Sequence, residues 1–214
     1  MRQRVYLAMI ALIVFSTLGL GSKMCEAKGT DQLNYKLNQS DEMAAQQLYL
    51  KAVSKKGDVI DIDNAENAYR LLLIKHPDHA INYNLRLASL VAVRAKYVFF
   101  PHQKLGYVKE SVNQFAQSER KIVRMKDPEL DYELHFYRGM TFINFPSFLG
   151  KSEIAETDLV SAASMLTGYN RPSDELANLF ATLVDIYHKK NPELAKKYET
   201  DLQHVTKLAR NKDS

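Results

Sequence analysis

The stretch RGMTFINFPSFLGK, Arg138 to Lys151, sets three phenylalanines around a proline and a glycine, between two segments of helical periodicity. Proline cannot continue a helix, and glycine admits backbone turns that other residues resist. The stretch therefore reads as a connector, and the same connector occurs upstream. RAKYVFFPHQKLG, Arg94 to Gly106, has the same order: arginine, a small residue, an aromatic–aliphatic pair, Phe-Pro, then glycine four or five residues on. The agreement continues past the glycine. Ser111, Phe115 and Ser118 follow Gly106 at the offsets at which Ala155, Leu159 and Ala162 follow Gly150. Small, large apolar and small residues on one helix face let a partner helix approach closely and lock at the large position. Gly139 belongs to the same logic. Inside a helix glycine costs about 1 kcal/mol relative to alanine, so its place suggests a contact that a side chain would block. A related spacing, Ala65, Tyr69, Leu72 and a closing Pro77, appears earlier in the chain.

Working outward, all six prolines lie between apolar-periodic segments or at a first helical turn. Asp127-Pro128-Glu129 and Asn191-Pro192-Glu193 place an acceptor at the N-cap and proline at the first helical position. Asp63-Asn64-Ala65-Glu66 reads as a capping box. The spacing predicts helices over 41–55, 64–76, 79–100, 105–126, 129–144, 151–167, 173–190 and 192–210, and no period-two stretch is long enough for a strand. Short connections make neighbours antiparallel, so the expected fold is all-α: four helical hairpins over residues 40–214.

These spacings resemble the tetratricopeptide repeat (TPR) family. Its second helix carries alanine, a large apolar residue four on, a small residue three on, and proline five on. Ala65/Tyr69/Leu72/Pro77 matches these spacings with leucine at the second small place, and Ala155/Leu159/Ala162 matches without the proline. Gly139 and Gly150 stand where the family places its two glycines, and Ser111/Phe115/Ser118 is a softened version. Hairpins starting near 41, 79, 129 and 173 give a period of 38–50 residues rather than 34, and Glu199 breaks the pattern after Ala195. The resemblance covers roughly residues 40–170 and implies a short right-handed TPR-like solenoid of about eight helices.

The N-terminus differs in kind. Arg2 and Arg4 precede the apolar run VYLAMIALIVFSTLGLG, Val5 to Gly21, and a polar patch follows. That order is a secretory signal pattern, with cleavage sites ending at Ala27 or Gly21, and an uncleaved anchor is the alternative. The expected organisation is a signal segment over 1–27, a flexible lead-in over 28–39 and an exported helical domain, periplasmic or secreted. Cys25, the only cysteine, lacks the preceding small residues of a lipid-attachment site. Losing Arg2, Arg4, Lys23 and Glu26 takes the chain from 29 basic and 25 acidic residues to 26 and 24. So even a balance does not point to nucleic acid or an anionic membrane.

The chain carries no Gly-rich phosphate loop, no H-E-x-x-H and no nucleophile elbow. His76 and His79 lack a third spaced ligand, and the acidic stretch Asp58 to Glu66 lacks the glycine and final glutamate of a calcium loop. Asn38-Gln39-Ser40 spells a glycosylation sequon. The expectation is a non-catalytic protein without cofactor or metal. The resemblance implies an interaction scaffold whose protein or peptide partner lies on the first helices of the hairpins, at Tyr83, Arg86, Arg94, Tyr97, Tyr132 and His135. The alternative is a carrier or transporter-accessory protein for an apolar small molecule, with Phe99, Phe100, Phe142, Phe145 and Phe148 around its pocket. Packed connector phenylalanines favour the scaffold, and an enclosed cavity favours the carrier.

Overall fold

The computed structural model describes residues 41–166 and 173–212, which form eight α-helices and two 3₁₀ turns with no strand among them. The helices are α1 (Asp41–Val53), α2 (Val59–Lys75), α3 (Ala80–Arg94), α4 (Pro101–Met125), α5 (Pro128–Phe142), α6 (Ser152–Ser164), α7 (Ser173–Tyr187) and α8 (Pro192–Lys212). The 3₁₀ turns are Pro77–His79 and Ser147–Leu149. The fold is all-α, as the periodicity predicts. The signal segment with Cys25, the lead-in and the sequon lie outside the described residues.

Helix starts follow cap chemistry. Asp127 accepts from the amides of Glu129 and Leu130 ahead of α5, and Asn191 accepts from Leu194 ahead of α8, each with proline at the first helical position. At α2 the expectation fails. The capping box is Asp58 with Asp61, so the helix begins at Val59 rather than at 64. The earlier pair wins because it satisfies the free amides five residues sooner, which leaves Asp63 and Glu66 for another partner. The two Phe-Pro stretches also diverge. Pro101 opens α4 directly, and Gly106 lies inside that helix, whereas Pro146 leads into a 3₁₀ turn. Gly150 ends that turn at φ 63°, a left-handed conformation that favours glycine.

Consecutive helices pair as α1/α2, α3/α4, α5/α6 and α7/α8, and across the pairs α1 touches α3, α3 touches α5, α2 packs on α3, α4 on α5 and α6 on α7. Lys51–Asp61 at one end and Lys75–Asp41 at the other hold α1 and α2 antiparallel. The small–large–small faces lie at the centre of this packing: Ala65, Tyr69 and Leu72 on α2, Ser111, Phe115 and Ser118 on α4, and Ala155, Leu159 and Ala162 on α6 are all buried. At Gly139, a methyl group would stand 2.9 Å from Leu159 Cγ and Cδ2. Helices α5 and α6 therefore cross where the glycine predicts a close approach.

The three connectors within the first three pairs share one end of the stack. Arg94, at the end of α3, pairs with Asp63 and Glu66 near the start of α2, and the Tyr97 hydroxyl donates to the Gly57 carbonyl. Helices α3 and α5 run the same way, joined by Arg86–Glu133 and Ser89–Thr141, which carries the α5–α6 connector to that end too.

Candidate functional site

The first helices expected to offer a groove instead close on one another. Arg86 on α3 sits between helices, its Nη1 3.1 Å from Glu133 Oε2 on α5, its Nε donating to Gln46 Oε1 on α1 at 3.3 Å, and its guanidinium 4.4 Å from the Tyr137 ring centroid. Gln46 accepts from the Tyr69 hydroxyl (3.0 Å) and donates to Glu175 on α7 (2.8 Å), which also accepts from the Tyr137 hydroxyl (2.9 Å). Tyr49 packs edge-on to both Tyr69 and Tyr137. Tyr83 is buried with its hydroxyl donating to Glu42, and Tyr132 is fully buried, stacked on Phe136.

Burial sets the protonation of this cluster. It pushes the Tyr49 phenol up to about 12 and raises Tyr69 and Tyr137 as well. Burial opposes the Arg86 charge, but Tyr137 and Glu133 outweigh it and hold the guanidinium above its ordinary value. At neutral pH the Tyr69 and Tyr137 phenols donate their hydrogen bonds and Arg86 stays cationic. Such a network ties α1, α3, α5 and α7 together.

Arg94 and Arg138, the matched arginines of the two repeated stretches, each tie a first helix to the preceding second helix. Arg94 holds Glu66 and Asp63, and Arg138 reaches Glu119 on α4 at 2.8 Å. Arg138 also grips Asp158 on α6 through two bonds of 2.7 and 2.8 Å. His135 Nδ1 donates to the same carboxylate at 2.8 Å. Burial works against ionised Asp158, but Arg138 and His135 hold its carboxyl below the usual range. Asp58, Asp61, Asp63 and Glu66 are taken up in a cap and in pairs with Lys51 and Arg94.

Of the residues expected to meet a partner on the first helices, Tyr83, Arg86, Arg94, Tyr132 and His135 are thus engaged inside the fold, and only Tyr97 is exposed. These side chains are spent within the fold, Tyr83 and Arg86 between first helices and Arg94 and His135 on the second helices α2 and α6. The connector phenylalanines divide. Phe142 is buried against Phe115, and Phe145 stacks on Phe142. Phe99, Phe100 and Phe148 are 87%, 52% and 79% exposed, so they are not packed against the hairpins. Between α4 and the α5–α6 connector, Val108, Lys109, Val112, Asn113, Leu149 and Lys151 line an open depression of about 270 Å³.

The sequence reading missed Gln46, Glu133, Asp158 and Glu175. A signal was present in two of them. Glu175 stands on the stripe continued by Leu179 and Leu183, and Asp158 on the stripe of Ala155, Leu159 and Ala162, where a charge needs a buried partner. Among the described residues, no group of three or more His, Cys, Asp or Glu is placed to hold a metal, and no helix is long and apolar enough to cross a membrane. Comparison of the chain with family models, curated proteins and solved structures returns no match.

Proposed function

We propose that this chain is a non-catalytic, extracytoplasmic interaction module of TPR-like type that holds another protein. The observation that carries this reading is the ladder of helix pairs. Each of the first three pairs packs its second helix on the first helix of the next pair, and the first helices of those three pairs touch in succession. Arrays of this kind expose long helix faces whose apolar residues dock partners. With the first helices closed, the contact surface shifts to the second helices. Their last turns carry Leu71 and Ile74 on α2 and Val123 and Met125 on α4, all exposed at the end of the stack opposite the connectors. The exposure of Phe99, Phe100 and Phe148 does not meet the packing expected of a scaffold. The connector depression, however, is open to solvent rather than the enclosed cavity a carrier needs, and the helix ladder favours the scaffold.

Photoreactive residues placed at Ile74 and Val123, with Gln117 on the outer face of α4 as control, test the module in cells exporting the full chain. A discrete protein adduct at 74 and 123 and none at 117 is expected. Absence of adducts, or equal labelling at all three, overturns the reading.

A further inference from the structure

Exposed apolar side chains are distributed unevenly over this fold. Of the thirteen large ones among the described residues, eight stand in the connectors at one end of the stack or in the helical turns that open from them: Val59, Ile60, Tyr97, Phe99, Phe100, Leu105, Phe148 and Ile154. Cations share the same segments. Residues 54–58, 95–100 and 143–151 contain Lys55, Lys56, Lys96 and Lys151 against a single acid, Asp58, whose carboxylate is occupied capping α2. Lys104 and Lys109 follow in α4, Glu110 and Glu153 lie on α4 and in the first turn of α6, and the acids that open α2, Asp61, Asp63 and Glu66, are paired with Lys51 and Arg94. The even charge balance of the whole chain hides this local excess.

We propose that this connector edge docks on an anionic lipid surface. The exposed phenylalanines come from two separate connectors at the same end of the stack, Phe99 and Phe100 from one and Phe148 from the other, an arrangement suited to an extended surface rather than to a single partner segment. Aromatic and aliphatic tips seat at the headgroup–acyl boundary, and the flanking lysines face the negative surface potential. The attraction weakens as salt shortens its range. This edge is distinct from the far end assigned to a protein partner, and either assignment stands without the other.

The chain contains no tryptophan, so Phe148→Trp and Phe99→Trp are site-specific reporters at exposed positions, with Ile74→Trp as the far-end control. Each full-length variant is mixed with phosphatidylcholine vesicles containing about 30% phosphatidylglycerol, or none, and with brominated lipid as a depth-dependent quencher. The expected result is a blue shift and quenching at 99 and 148, absent at 74, on anionic vesicles only. Raising NaCl from about 0.1 M to about 0.5 M should weaken it. Lys55→Glu with Lys56→Glu in the Phe148→Trp background should raise the lipid needed for half-maximal shift about tenfold or more. Unshifted emission from the Phe148→Trp variant on anionic vesicles overturns the proposal, even where the chain sediments with them through its N-terminal apolar run. An equal shift on neutral vesicles overturns it as well.

Discussion

In Gly139→Ala, the added methyl stands 2.9 Å from Leu159 Cγ and Cδ2 and 3.1 Å from Asp158 Cβ. Leu159 is fully buried and Asp158 is held by Arg138 and His135, so neither retreats freely. Overpacking of this kind costs about 1–3 kcal/mol. Against it, alanine is favoured over glycine inside a helix by about 1 kcal/mol. The two terms separate by comparison with Gly106→Ala in α4, where the new methyl meets nothing within 4 Å and only the helical preference acts. Gly106→Ala is therefore expected to stabilise the domain by about 0.5–1 kcal/mol. Gly139→Ala should come out about 1–3 kcal/mol less stable than Gly106→Ala. At this chain length each kcal/mol moves the Tm by about 2–4 °C, within reach of circular dichroism at 222 nm together with urea melts. Adding Leu159→Ala opens space beside the methyl, so the double variant should fall short of the summed losses. If Gly139→Ala and Gly106→Ala raise the Tm alike, the close crossing of α5 and α6 is refuted.

Two further expectations follow from the buried polar groups. Ser111 Oγ is buried without a hydrogen-bond partner, at the place where the matched stretch carries Ala155, so Ser111→Ala should be neutral or raise stability by about 1 kcal/mol; a clear loss in urea melts would mean that the hydroxyl is bonded in solution. Asp158→Asn should cost about 2–4 kcal/mol at neutral pH by breaking a buried pair. Because the folded carboxyl is held below its unfolded value, this contribution is full above the ordinary carboxylate range and is lost as pH falls through the folded value. The gap between wild type and Asp158→Asn should therefore narrow as melts are taken from neutral pH toward strong acid, and a constant gap would count against an ionised Asp158.

Much of the fold was legible because periodicity, prolines and caps all act over a few residues. Pro128 behind Asp127, Pro192 behind Asn191 and the matched triplets on α4 and α6 each announce a helix or its buried face without help from distant chain. The start of α2 was not legible, because Asp58/Asp61 and Asp63/Glu66 are both plausible boxes by spelling. The structure caps the helix with the earlier pair, and Asp63 and Glu66 go instead to Arg94, some thirty residues on, a partner that local spelling does not reveal. The candidate site was harder still. Whether Arg86 faces a partner or Tyr137 depends on α1, α5 and α7 converging on it, and no local pattern in α3 encodes their approach.

The amino-acid order by itself determined the all-α class, the pairing of helices through short connectors, and the close α5–α6 crossing at Gly139, since each follows from backbone limits and side-chain volume within one or two neighbouring helices. Only the tertiary structure decided that the tyrosines and arginines of the first helices are spent inside the fold, and that Phe99, Phe100 and Phe148 stand outside it beside the connector lysines. Burial is settled by elements far apart in sequence, and it is burial that turns the same residue into a brace or a surface.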